Sequence, residues 1–112
     1  MYSKDQSIIM LLLECINKIF QFSNELKNSE EFENDTKSFD AVLMNFIVLG
    51  ESISKLSDEF KDHHKHIEWR KIYAFRNVIA HDYFGLLPEE IWQIIKKNLP
   101  QLYVDLKKIE NE

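Results

Sequence analysis

The sequence predicts an all-α protein: an antiparallel, up-down bundle of four main helices, with a short extra helix and a kinked C-terminal helix. Three observations carry this. Apolar residues recur at spacings of three and four along most of the chain and never alternate as a half-buried strand requires. Only two Gly and two Pro occur, so little interrupts long helices. The 112 residues suffice to close one hydrophobic core, and residues 1–112 are expected to form a single domain.

The first helix is expected from about Lys4 to Lys27, on the stripe Ile8, Leu12, Cys15, Ile16, Ile19, Phe20 and Leu26. Asn28-Ser29-Glu30-Glu31 reads as a stop and restart, with a short turn at Ser29, Phe32 and Glu33. A second long helix follows on Phe39, Val42, Leu43, Phe46, Leu49, Ile53 and Leu56. Gly50 lies inside it, where glycine costs up to about 1 kcal/mol against alanine, so a neighbouring helix is expected to approach closely there. Ser57 to His66 is a polar connector with one helical turn. The third helix carries Ile67, Ile72, Phe75 and Ile79, with Gly85 offered as its C-terminal cap. Pro88, Glu89 and Glu90 match a helix start. Ile91, Ile94, Ile95, Leu99, Leu102, Leu106 and Ile109 form the last buried stripe, which Pro100 should kink.

The formal charge of −5 argues against a protein that coats nucleic acid through a uniformly basic surface. Its distribution is uneven. Residues 25–40 hold six acids and two lysines, whereas residues 61–76 hold five basic residues, two acids and three histidines. Cys15 is the sole cysteine, so no internal disulfide forms and a reducing, cytoplasmic setting is expected. The apolar run from Ile8 is broken by Glu14 and lacks a small-residue cleavage site, so it reads as a core helix. No stretch approaches the roughly 20 apolar residues of a membrane span.

The basic segment runs into Arg76-Asn77-Val78-Ile79-Ala80-His81-Asp82-Tyr83, the best candidate for chemistry. On a helix, Arg76 and Tyr83 return to nearly the same face, and Asn77 neighbours His81. Arg76 and His81 diverge by about 140°, so one straight helix cannot aim both at one point. Either the helix loosens near Gly85 or two chains share the site. These residue types suit RNA cleavage by the 2′-hydroxyl, which needs a base, an acid and a cation beside the phosphorane. An imidazole, with a reference pKa of about 6.5, can serve as base or acid, and a guanidinium offers forked donors to phosphate. No metal or other cofactor is required, and a symmetric dimer bringing two copies of His81 together would supply both proton-transfer groups. Asn77 would orient His81 or a phosphate.

Lys65, Arg70, Lys71 and Tyr73 are candidate RNA contacts. Among the aromatics, Phe75 and Trp92 are assigned to the core, Trp69 to core or interface, and Tyr73 is left open between packing and base stacking. Asp62, His63, His64 and His66 suggest a metal site by spacing, but without a second ligand cluster the connector is read as exposed and metal-free.

The string WRKIYAFRNVIAHDYFG resembles the signature of HepT-like toxins of the HEPN superfamily, with Arg76, Asn77, His81 and Tyr83 in its positions. The likeness extends to Asp40-Ala41-Val42, Gly50-Glu51, Trp69, Ile91-Trp92 and Leu99-Pro100. Where this family usually has a proline just before the tryptophan, this chain reads His66-Ile67-Glu68. The resemblance implies a HEPN-like homodimer whose motif helices face across a cleft, acting as a metal-independent ribonuclease toxin. It also implies a minimal nucleotidyltransferase antitoxin, MntA, that transfers AMP to Tyr83. The alternative is a catalytically idle helical subunit that serves a nucleotidyltransferase.

Overall fold

Ser3 starts the bundle with a reciprocal cap: its hydroxyl accepts from the Gln6 amide at 3.1 Å, and the Gln6 side chain accepts from the Ser3 amide at 2.8 Å. The structure is a computed structural model that describes residues 3–112. Helix α1 spans Lys4–Ser23 and buries Ile9, Leu12, Ile16 and Ile19. It ends four residues earlier than the apolar stripe suggests, because the Ser23 hydroxyl turns back to the Ile19 carbonyl at 2.8 Å and Asn24 forms the cap. Cys15 is buried, and that burial raises the pKa of its thiol.

Asn28 caps the short α2, Ser29–Asn34, by accepting from the Glu31 amide at 2.9 Å. Asp35 caps α3, Thr36–Ile53, in the same way through the Ser38 amide at 3.0 Å. Leu56 is buried beyond the end of α3. Helix α4, Asp58–His63, begins at Ser57, whose amide and hydroxyl both bond Asp5 of α1. Ile67 is buried in the connector, and α5 starts two residues later, covering Trp69–His81.

A 3₁₀ turn, Tyr83–Gly85, leads to α6, Pro88–Gln93, with the proline in its first turn as expected. The kink attributed to Pro100 takes the form of a π-helical turn, Ile94–Asn98, running into α7, Leu99–Glu110. The Leu99 amide donates to the Ile94 carbonyl, and the next residue, the proline, has no N–H to continue the ladder. The departure from α-helical hydrogen bonding therefore lies on the N-terminal side of the proline.

Helix α1 packs on α3 and α7, α3 packs on α5, and α2 packs on α6. The result is the all-helical bundle expected, and among the described residues there is no strand. Trp92 is buried in the core, and Phe75 is half-buried, meeting Phe46 edge-on at 5.1 Å. No helix among the described residues is long and apolar enough to cross a membrane. Helix α5 is the outer member. It buries only Trp69 and Ile79 and leaves Val78 half exposed.

Candidate functional site

The site begins where α5 meets α3. A Cβ at Gly50 would lie 2.8 Å from Arg76 Cγ and in still closer conflict with Arg76 Cβ, so the glycine is what lets Arg76 sit against α3. The close approach expected at Gly50 is therefore made by Arg76 itself. Its Nη2 pairs with Glu51 Oε1 at 2.5 Å, and Nη1 donates to Asn77 Oδ1 at 2.9 Å. The side chain is 23% exposed, and its Nε is buried without a hydrogen-bond partner among the described residues. Asn77 Oδ1 thus meets the guanidinium, and no hydrogen bond joins Asn77 to His81 among the described residues. The role of Glu51 was not visible from the motif, although its place directly after a mid-helix glycine was the available signal.

His81 is the last residue of α5 and is exposed. The helix is unbroken from Trp69 to His81, so nothing loosens between Arg76 and His81 and their divergence of about 140° stands. The helix ends before Tyr83, because Asp82 leaves helical geometry at φ −141° and ψ 48°. The expectation that Tyr83 shares a helical face with Arg76 is overturned: it lies in the turn that follows. Gly85 is not a left-handed cap either, since no glycine among the described residues has positive φ. The Asp82 carboxylate occupies the space a Cβ at Gly85 would need, with Oδ1 at 2.6 Å from that point.

Tyr83 turns its ring toward the start of α3. The phenol donates to Asp40 Oδ1 at 2.5 Å, and Phe39 meets the ring edge-on at 6.4 Å. The hydrogen bond to Asp40 is the main cause of a raised Tyr83 pKa, followed by desolvation and by the carboxylate charge. Tyr83 is 42% exposed and Phe84 beside it 98%. Asp40 and Tyr83 are 43 residues apart, so no local sequence pattern links them.

Lys65, Arg70, Lys71 and Tyr73 line one open groove of about 1090 Å³, which also reaches Asn77. Asp58, Asp62 and Glu68 line it too, and Lys71 is paired with Glu68 at 2.7 Å. Arg76, His81 and Tyr83 are not in its wall. In the connector, His64 is buried rather than exposed. Its Nδ1 donates to the Phe60 carbonyl at 3.0 Å, its Nε2 lies 3.1 Å from Glu112 Oε1, and its own carbonyl accepts from Trp69 Nε1. The connector thus serves as a packing element at His64. Among the described residues, no group of three or more His, Cys, Asp or Glu side chains could hold a metal ion.

The site thus sets Arg76 against α3, His81 at the end of α5 and Tyr83 in the turn after it, on an all-helical bundle. Residues 12–109 match the family described as "Ribonuclease HepT-like", and the chain belongs to it. It is 30% identical over 98 residues to "Probable ribonuclease HepT" of Thermococcus cleftensis, covering 88% of each chain. It is also similar to two proteins of Methanocaldococcus jannaschii. One, "Putative RNase MJ0127", is 31% identical over 88% of this chain and 78% of its own. The other, "Gamma-glutamylcyclotransferase and putative RNase MJ0434", is 30% identical over 90% of this chain, which spans only 45% of that longer protein. No solved structure matches the chain.

Proposed function

We propose that this chain is a metal-independent RNA endonuclease, the toxin of a type VII-like toxin-antitoxin system, and that Arg76 and His81 act across the cleft of a homodimer. The observation that carries this reading is the contrast along α5. Arg76 is fixed by Gly50, Glu51 and Asn77, whereas His81, on the same unbroken helix, stands exposed and turned away. A two-fold axis beside α5, whose outer surface is open, would bring an imidazole of one copy to the guanidinium of the other.

In that arrangement one His81 takes the proton of the RNA 2′-hydroxyl as its oxygen attacks phosphorus. The second His81 protonates the departing 5′-oxygen, leaving a 2′,3′-cyclic phosphate and a 5′-hydroxyl. Arg76 donates to the phosphorane oxygens. The groove with Lys65, Arg70, Lys71 and Tyr73 gives the flanking RNA a path toward Asn77. The toxin is neutralised by an MntA-like nucleotidyltransferase antitoxin that transfers AMP to Tyr83, placing an anion and a nucleoside two residues from His81.

The test is cleavage of labelled RNA, with and without chelator, by wild type, Arg76→Ala and His81→Ala. Each variant should lose at least about a hundredfold in rate, and because the scheme uses both copies of His81, mixed dimers formed by adding excess His81→Ala chain to wild type should also lose activity. Wild type that binds RNA and never cuts it would end the nuclease reading. The pairing of Arg76 with Glu51 favours a second reading, an idle subunit of a nucleotidyltransferase complex, in which His81→Ala leaves growth arrest unchanged but weakens the complex.

A further inference from the structure

The bond between Tyr83 and Asp40 is required neither by the cleavage scheme nor by the core. Asp40 is exposed, the phenol is largely at the surface, and an exposed polar contact of this kind adds little to stability. What it does is hold the phenol oxygen 2.5 Å from a carboxylate oxygen that accepts its hydrogen bond, with Phe39 against the ring edge-on. The arrangement is that of a nucleophile with its proton acceptor already in place.

We propose that Asp40 accepts the phenolic proton of Tyr83 when that oxygen is nucleotidylated. The inference rests on the modification of Tyr83 put forward above. Tyr83 Oη attacks the α-phosphorus of a nucleoside triphosphate, and the bond from that phosphorus to the β-phosphate oxygen breaks. Pyrophosphate leaves, and the proton moves along the existing hydrogen bond to Asp40 and then to water. The same bond favours the phenol over the phenolate, so Tyr83 enters the reaction protonated and needs an acceptor at that moment. Afterwards the phosphodiester has no proton to donate and its anion faces a carboxylate, so the modified side chain is driven off Asp40.

Asp40→Asn and Asp40→Ala separate proton acceptance from positioning, because asparagine keeps an acceptor oxygen for the phenol but cannot take its proton. The measurement is the rate at which an MntA-like nucleotidyltransferase and α-phosphorus-labelled ATP label the full chain, with Tyr83→Phe as the blank and circular dichroism as the check on folding. Both Asp40 variants should be labelled about a hundredfold more slowly than wild type. Wild-type labelling of Asp40→Asn would overturn the proton-acceptor role while leaving Tyr83 modification intact. An unlabelled wild type would overturn both.

Discussion

Gly50 and Arg76 touch: the Cα of Arg76 lies 3.7 Å from where a Gly50 side chain would begin, and its Cβ lies far closer. Because the conflict is with atoms next to the backbone, no rotamer of Arg76 relieves it. Gly50→Ala gains about 1 kcal/mol of helix propensity, but forcing a methyl into a packed contact costs about 1–3 kcal/mol. We expect a net loss of stability of up to about 2 kcal/mol by urea denaturation, with RNA cleavage falling as Arg76 is displaced. Unchanged stability and activity would mean that α3 and α5 have room to spare.

The groove predicts a salt signature. Lys65 and Arg70 make no ion pair among the described residues, whereas Lys71 is already partnered by Glu68. Each lost phosphate contact lowers the slope of log affinity against log salt by about 0.7 for single strands. The double variant Lys65→Ala, Arg70→Ala should therefore lose about 1.4 in slope by fluorescence anisotropy, and Lys71→Ala distinctly less than either single change. Equal slopes in all variants would remove the groove from the RNA path.

His64 divides the connector. It is buried with ring and carbonyl partners, while His63 and His66 are exposed. His64→Ala should cost about 1–3 kcal/mol through the lost packing and the unpaired Phe60 carbonyl. His63→Ala and His66→Ala should stay within about 0.5 kcal/mol of wild type. Chemical denaturation of the three variants checks the ranking, and equal midpoints would refute it.

The bond from Tyr83 to Asp40 has a signed pH dependence. It raises the pKa of the phenol above its ordinary value of 10.0, so the folded chain holds this proton more tightly than the unfolded chain. Its stabilisation is complete at neutral pH and is lost as pH rises through the folded ionisation. Phenolate absorbance, taken as the difference between wild type and Tyr83→Phe, should titrate above 10.0, and Asp40→Asn should bring the midpoint down. A midpoint unmoved by Asp40→Asn would show that the bond is not held in solution.

The helices were legible because apolar periodicity and capping residues are local: Asn28, Pro88 and the stripe through Leu99 and Leu106 do what their spacing implied. Helix ends were less so. Ser23 and Asp82 terminate α1 and α5 through particular bonds and dihedrals, which moved Tyr83 off the face expected for it. The sequence by itself determined the fold class, the family and the segment that carries Arg76, His81 and Tyr83, since these depend on residue types at fixed short spacings. Only the tertiary structure decided what those side chains touch. Glu51 against Arg76, Asp40 against Tyr83 and His64 inside the connector are meetings of separate elements, fixed by how the helices pack and not by any pattern within one of them.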